Sequence, residues 1–220
     1  MKDIAIYGAG GFGKEVACLI GRINKAEGCP KWRLVGFFDD AKPSGSKVSH
    51  FGTVLGGMDK LNAWPTPIDV AIAIGAPQAI KDISNRIINP HVAFPNLIDP
   101  SFELFDPETI TMGRGNVVVG PGSLSCDVRL GDFNVLVGGV VVGHDVCIGS
   151  YNVLMPGARV SGKVVMGNLN LLGANAIVLQ GLRIGYCVTV AMGSALMTTP
   201  TDGSTYLGVP AIEYNPPSNK

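Results

Sequence analysis

A chain of 220 residues, 46% hydrophobic and 15% charged, is long enough for one large or two small domains with well-formed cores. Its 17 Lys and Arg balance 17 Asp and Glu, and no basic run or tail gathers them, so nothing recruits nucleic acid or an anionic membrane. The five cysteines form no CxxC pair, the N-terminus opens on strand-like MKDIAIYG without a signal segment, and no apolar run reaches the roughly 18 to 20 residues of a bilayer span; the expected home is a reducing cytoplasm, without membrane insertion.

The first elements alternate. Ile4-Ala5-Ile6-Tyr7 reads as a strand, about Gly11 to Ile23 as a helix, and Leu34-Val35-Gly36-Phe37-Phe38 as a second strand. Val70-Ala71-Ile72-Ala73-Ile74 is a third, followed by a helix from about Pro77 to Ile88. This grammar predicts a parallel sheet of Rossmann type. The segment 41–56, rich in Gly, Ser and Lys, reads as an exposed loop, and Pro90 to Pro107 as a connection.

Between the first strand and helix, Gly8-Ala9-Gly10-Gly11-Phe12-Gly13 satisfies G-x-G-x-x-G in the context where backbone N–H groups and the helix dipole face an anion. Asp39 or Asp40, ending the second strand, is placed to accept ribose hydroxyls. Three readings stay open: a nicotinamide cofactor, a nucleotide-linked ligand held without redox chemistry, and glycines that serve only close strand-to-helix packing. The α/β portion spans only about 100 residues and no dehydrogenase domain follows it.

From Met112 the pattern changes. Met112, Val118, Leu124, Leu130, Leu136, Val142, Ile148, Leu154, Val160, Met166, Leu172, Val178, Ile184, Val190 and Leu196 recur every six residues, many followed by Gly. That period signals a parallel β-helix of hexapeptides, each a short strand and a corner. The residue two before each aliphatic also points inward and is small: Val140, Val146, Ala158, Val164, Ala176, Val188, Ser194. Asn116, Asn134, Asn152 and Asn170 occupy that position eighteen residues apart, so three hexads make one coil and the amides form a column. Function must therefore sit on the outside of a filled prism, where Val118, Val119 and Val141 are expected as exposed aliphatics. After Leu196 the register ends, and Tyr206-Leu207-Gly208-Val209-Pro210-Ala211 reads as a cap.

His144 is the one histidine in the hexads, at a corner, beside Asp145. An imidazole with a carboxylate neighbour suits a general base that deprotonates an amine or hydroxyl as it attacks an acyl group. Gly162 lies one coil onward, where a bare backbone N–H can face an oxyanion, and Cys126 one coil before, where a thiol acyl carrier is a second possibility.

At Tyr7-Gly8-Ala9-Gly10-Gly11-Phe12-Gly13-Lys14, Gly36-Phe37-Phe38-Asp39-Asp40, Ala73-Ile74-Gly75, Gly143-His144-Asp145-Val146-Cys147-Ile148-Gly149 and Gly208-Val209-Pro210-Ala211 the chain resembles the sialic acid O-acetyltransferase and bacillosamine or perosamine N-acetyltransferase group. The resemblance implies an N-terminal Rossmann-like nucleotide-sugar-binding domain over residues 1–95 and a left-handed parallel β-helix acyltransferase domain over 96–220. It also implies a homotrimer with acetyl-CoA between neighbouring prisms and no metal. His144 then matches the catalytic base and Asp145 the acidic residue that raises its basicity. Gly162 matches the backbone at the thioester carbonyl, Ala174 and Met192 match coil positions that meet the cofactor, and Gly10, Gly11, Phe12, Asp39, Asp40 and Gly75 match nucleotide-sugar contacts. The chain departs from the group's pattern at Phe12 and Asp99, where relatives commonly carry His, at Ala76-Pro77 in place of paired asparagines, and at Val153 in place of a His that reaches the cofactor in some members. The expected activity is transfer of acetyl from acetyl-CoA to an amino or hydroxyl group of a nucleotide-activated sugar. A serine-acetyltransferase-like enzyme and a non-catalytic trimeric nucleotide-binding scaffold are the alternatives.

Overall fold

A computed structural model describes residues 1–214. Strands β1 (Lys2–Tyr7), β2 (Trp32–Phe38), β3 (Val54–Gly56), β4 (Ile68–Ile72) and β5 (Val92–Ala93) form one parallel sheet in the order β3-β2-β1-β4-β5, with helices α1 (Gly11–Ala26), α2 (Met58–Asn62) and α3 (Pro77–Arg86) between them. Ile4, Ile6, Phe37, Phe38 and Val70 fill its centre with Val16, Leu19 and Ile20 of α1. The segment 41–56 is not wholly a loop. Its end is β3, with Val54 buried and the Phe37 N–H bonded to Thr53 O at 3.0 Å; three residues are too few for alternation to show against polar flanks.

The remainder is a three-faced solenoid. Face one runs from Leu97–Ile98 through Val117–Val119, Val135–Val137, Val153–Leu154, Leu171–Leu172 and Thr189–Val190; face two from Phe102–Leu104 to Ala195–Leu196; face three from Thr111–Met112 to Arg183–Ile184. Every pair within these faces is parallel, and from Met112 to Leu196 the paired residues stand eighteen positions apart. The coil begins earlier than the hexad register, inside the expected connection. Ile98 pairs with Val118 and Leu104 with Leu124, twenty residues on, so a two-residue insertion before Met112 hides the first coil from a six-residue count.

The inward columns are as read, and Val118 belongs to them rather than to the outside. The amide column is continuous and gains a member, Asn96. Each of Asn116, Asn134, Asn152 and Asn170 is fully buried, and its backbone N–H donates to the side-chain Oδ1 of the asparagine one coil earlier at 2.8–2.9 Å. The Nδ2 groups of the last three donate both to that same oxygen and to Gly149, Gly167 or Gly185 O. Polar groups that are costly to bury alone are thereby saturated along the axis. Corners turn through left-handed residues, one column being Asp127, Asp145, Lys163 and Gly181. Strands Thr205–Gly208 and Ala211–Glu213 close the last coil as an antiparallel hairpin.

The α/β layer lies on face one. The outward residues Leu97, Val117, Val135 and Val153 are buried in one apolar cluster with the core of that layer, and Val119 packs against it, while Val141 stays half-buried on face two. Polar geometry adds direction: Arg22 of α1 grips Asp99 in the first coil through two parallel bonds, Nε–Oδ2 at 2.7 Å and Nη2–Oδ1 at 2.8 Å. The Ser101 N–H and hydroxyl also donate to Asp99 Oδ1, and the carboxylate is nearly fully buried. The Arg22 guanidinium, aided by Ser101, holds the Asp99 carboxyl far below its ordinary value of 3.8. A depressed folded-state value adds stability above the unfolded value and loses it as pH falls toward the folded one. Denaturation of wild type and Asp99→Asn is therefore expected to show a stability gap that is flat from pH 8 to about 5 and shrinks below about pH 4.

Candidate active site

His144 stands at the corner between faces two and three, with its side chain about half exposed (49%). Its Nδ1 lies 2.7 Å from Asp145 Oδ2. A carboxylate only accepts, so Nδ1 carries the proton and Nε2 presents the free lone pair. Asp145 turns back toward the ring because it adopts the left-handed conformation (φ 58°), which Asp tolerates better than most residues.

Nε2 rests over Gly162. A Cβ built there would fall 2.7 Å from Nε2 and 2.9 Å from Cε1, so only glycine leaves the ring its place. The Gly162 carbonyl accepts from Gly181, whereas its N–H donates to no acceptor among the described residues. Gly162→Ala is therefore expected to keep the fold and swing the imidazole aside, lowering turnover about 10- to 100-fold in a thiol-release assay. Cys126 is half-buried one coil before; its Sγ has Ser125 Oγ at 4.0 Å as its hydrogen-bonding neighbour among the described residues, not His144, which argues against an activated thiol carrier.

The glycine-rich turn divides into two jobs. Gly8 (φ 112°) and Gly13 are required by packing, since a Cβ on Gly13 would strike the Gly8 carbonyl. At Gly10 and Gly11 a Cβ would meet nothing within 4 Å, so packing does not explain them. They open the N-terminus of a sixteen-residue helix that has no side-chain cap and no acidic residue in its first turn.

Asp39 has a structural purpose in the turn. Oδ2 takes the Ala9 N–H at 2.8 Å and Oδ1 the Ala41 N–H at 2.9 Å, so it fastens the turn to the loop after β2. Asp40 takes the Met58 N–H at 2.8 Å and faces Arg86 at 3.2 Å, lining a polar cleft with Lys42, Ser44 and Lys60. Burial works against its ionisation, but the Met58 N–H and Arg86 outweigh it and hold the carboxyl below its ordinary range. Lys42, whose ammonium caps the Ala9 carbonyl, went unnoticed in the sequence, where it looks like any lysine of a polar loop.

Phe12 and Gly75 converge with Val135, Val137, Val153, Met155 and Pro156 on an apolar pocket of about 210 Å³, with Glu15 at its edge. Val153 thus contributes pocket wall beneath the α/β layer. Pro156 belongs to the corner between faces one and two, and so do Ala174 and Met192: the Asn175 N–H donates to Pro156 O and the Gly193 N–H to Ala174 O, one coil each. The candidate residues therefore form two groups. Phe12, Gly75, Ala174 and Met192 attend the corner between faces one and two, and His144, Asp145 and Gly162 the corner between two and three. The α/β layer covers face one, opposite His144, so one chain does not bring its glycine-rich turn to its own imidazole.

Residues 3–87 match the family model of the PglD N-terminal domain. The whole chain is similar to the acetyltransferase domain of PglB from Neisseria gonorrhoeae, solved in complex with acetyl coenzyme A: 26% identity, 97% of this chain and 99% of that one, TM-score 0.85. Perosamine N-acetyltransferase from Caulobacter crescentus, in a histidine-to-asparagine mutant complexed with CoA and GDP-perosamine, shares the fold at 23% identity over 98% of both chains, TM-score 0.84. WeeI from Acinetobacter baumannii does so at 23% identity, covering 97% of this chain and 100% of its own, TM-score 0.83. No curated protein matches the sequence. Fold and comparisons together define an acyltransferase built from a Rossmann-like domain and a left-handed β-helix. The resemblance read from the motifs agrees with these likenesses, and residues 3–87 are similar to the PglD N-terminal domain.

Proposed function

We propose that this protein transfers acetyl from acetyl-CoA to an amino or hydroxyl group of a nucleotide-activated sugar, a precursor of surface glycan, with His144 as general base. The pair His144–Asp145 at 2.7 Å, with Nε2 free at an exposed corner over Gly162, carries this reading. The acceptor's nitrogen or oxygen bonds to the thioester carbonyl carbon as its proton passes to Nε2. The charge on the carbonyl oxygen meets the Gly162 N–H; the carbon–sulfur bond then breaks, and the departing CoA sulfur takes the proton from the imidazolium.

Residues 1–95 hold the nucleotide-sugar, with its phosphates at the open helix N-terminus by Gly10 and Gly11, its sugar toward Phe12 and Gly75, and its nucleoside toward Asp40. Asp39 supports that turn from behind. Residues 96–220 hold acetyl-CoA along Gly162, Ala174 and Met192. Because the two groups occupy different corners of one prism, the complete site lies between copies, and a homotrimer closes it: the corner of one chain bearing His144 meets the corner of its neighbour bearing the sugar pocket. Among the described residues no helix is long and apolar enough to cross a membrane, and the protein works in the cytoplasm on soluble precursors.

A thiol-release assay with acetyl-CoA and UDP-, GDP-, dTDP- and CMP-sugars tests the proposal. Thiol release that depends on one such sugar supports it. Silence across the panel with tight nucleotide binding favours a trimeric scaffold, and activity on free serine a serine-acetyltransferase-like enzyme.

A further inference from the structure

We infer that Arg22 and Asp99 are positioning residues for acyl transfer: their bidentate clamp fixes the tilt of α1 on the solenoid, and with it the place of the acceptor relative to the base. The inference rests on the proposed activity and extends it to a pair of residues remote from the reacting atoms. Two kinds of contact join the halves. The apolar patch around Leu97, Val117, Val135 and Val153 is strong but non-directional, and it tolerates small slides and tilts. The guanidinium fork does not, because both N–H vectors must meet both carboxylate oxygens.

Asp99 cannot yield instead. Its backbone N–H donates to Val118 O at 3.0 Å, its carbonyl accepts from Phe102 at 2.9 Å, and its carboxylate takes two further bonds from Ser101. The carboxylate is thus a fixed point of the first coil. Arg22 and Gly11 lie on the same helix, about 16 Å apart at 1.5 Å rise per residue. A tilt of about 4° at the clamp would carry the open helix N-terminus roughly 1 Å, a displacement on the scale that costs about 100-fold in rate when reacting groups must meet.

The aspartate that departs from the relatives' histidine therefore has a task. Its carboxylate anchors Arg22 and, by this inference, orients the whole acceptor domain.

The test uses the full-length enzyme and the double variant Arg22→Met/Asp99→Leu, which removes both charges together and leaves no buried ion unpaired. The expected result is a folded protein with wild-type acetyl-CoA affinity and nucleotide-sugar KM, and kcat for transfer reduced 10- to 100-fold. Arg22→Lys, which keeps the charge and loses the fork, should fall between it and wild type. Unchanged kcat in a folded double variant would overturn the inference, and so would losses of acetyl-CoA binding and thermal stability in both variants that account for the lost rate, since those mark a purely structural pair. If wild type transfers acetyl to no nucleotide-sugar, it is the proposed function that fails.

Discussion

Replacing His144 by alanine is expected to lower kcat for acetyl transfer about 100- to 10,000-fold while acetyl-CoA binds as before. The side chain lies at a half-exposed corner, and its described polar contact is with Asp145, so the fold does not depend on it. What disappears is the acceptor for the proton that must leave as the new bond forms. The imidazole also fills the space over Gly162, and its removal exposes that amide to water, weakening it as an oxyanion donor. Steady-state thiol release beside calorimetric titration of acetyl-CoA separates the two effects. A variant with unchanged turnover would remove His144 from the mechanism.

The second large effect concerns stability. Asn152→Ala takes away the acceptor of the Asn170 N–H and the donor to Gly167 O, and it leaves a void in the middle of the amide column. Two backbone groups in a dry interior lose their partners, each costing about 1–3 kcal/mol, and the cavity adds to the sum, for a total of about 3–5 kcal/mol. A fall in Tm of roughly 6–20 °C follows for a chain of this size. Thermal unfolding followed by circular dichroism checks it. A shift within 1–2 °C would mean that the column is ornamental and that the aliphatic columns alone hold the coils.

Much of this was legible because a solenoid repeats its physics. Six-residue spacing exposed the faces, and four asparagines eighteen apart exposed the coil, since an inward amide needs another amide above and below it. The first coil escaped because two inserted residues broke the count, even though its strands pair like the others. Strand β3 escaped because three residues display no period. Among candidate residues, His144, Asp145 and Gly162 could be set on adjacent coils by arithmetic, and the structure brings them into contact.

Asp39 could not be judged in the same way. A carboxylate ending a second strand looks ready for a ribose, and only coordinates reveal that each of its oxygens also accepts a backbone N–H that fastens the turn. The clamp was equally hidden, because Arg22 and Asp99 lie 77 positions apart and neither belongs to a repeat. Val153 illustrates a third limit. Periodicity says that it faces outward, but not that another domain covers it there.

Mixed trimers would reveal whether the base and the acceptor site of one reaction come from different copies. His144→Ala lacks the base. Gly11→Asp places a carboxylate at the open helix N-terminus, where the built Cβ meets nothing, and so repels the acceptor's phosphates without disturbing the fold. Each variant alone should be inactive. Unfolded together at equal amounts and refolded, they should recover about one quarter of wild-type thiol release, because about one seam in four then joins an intact His144 to an intact glycine-rich turn. Mixed trimers that form and remain as inactive as either parent would contradict a site shared between copies.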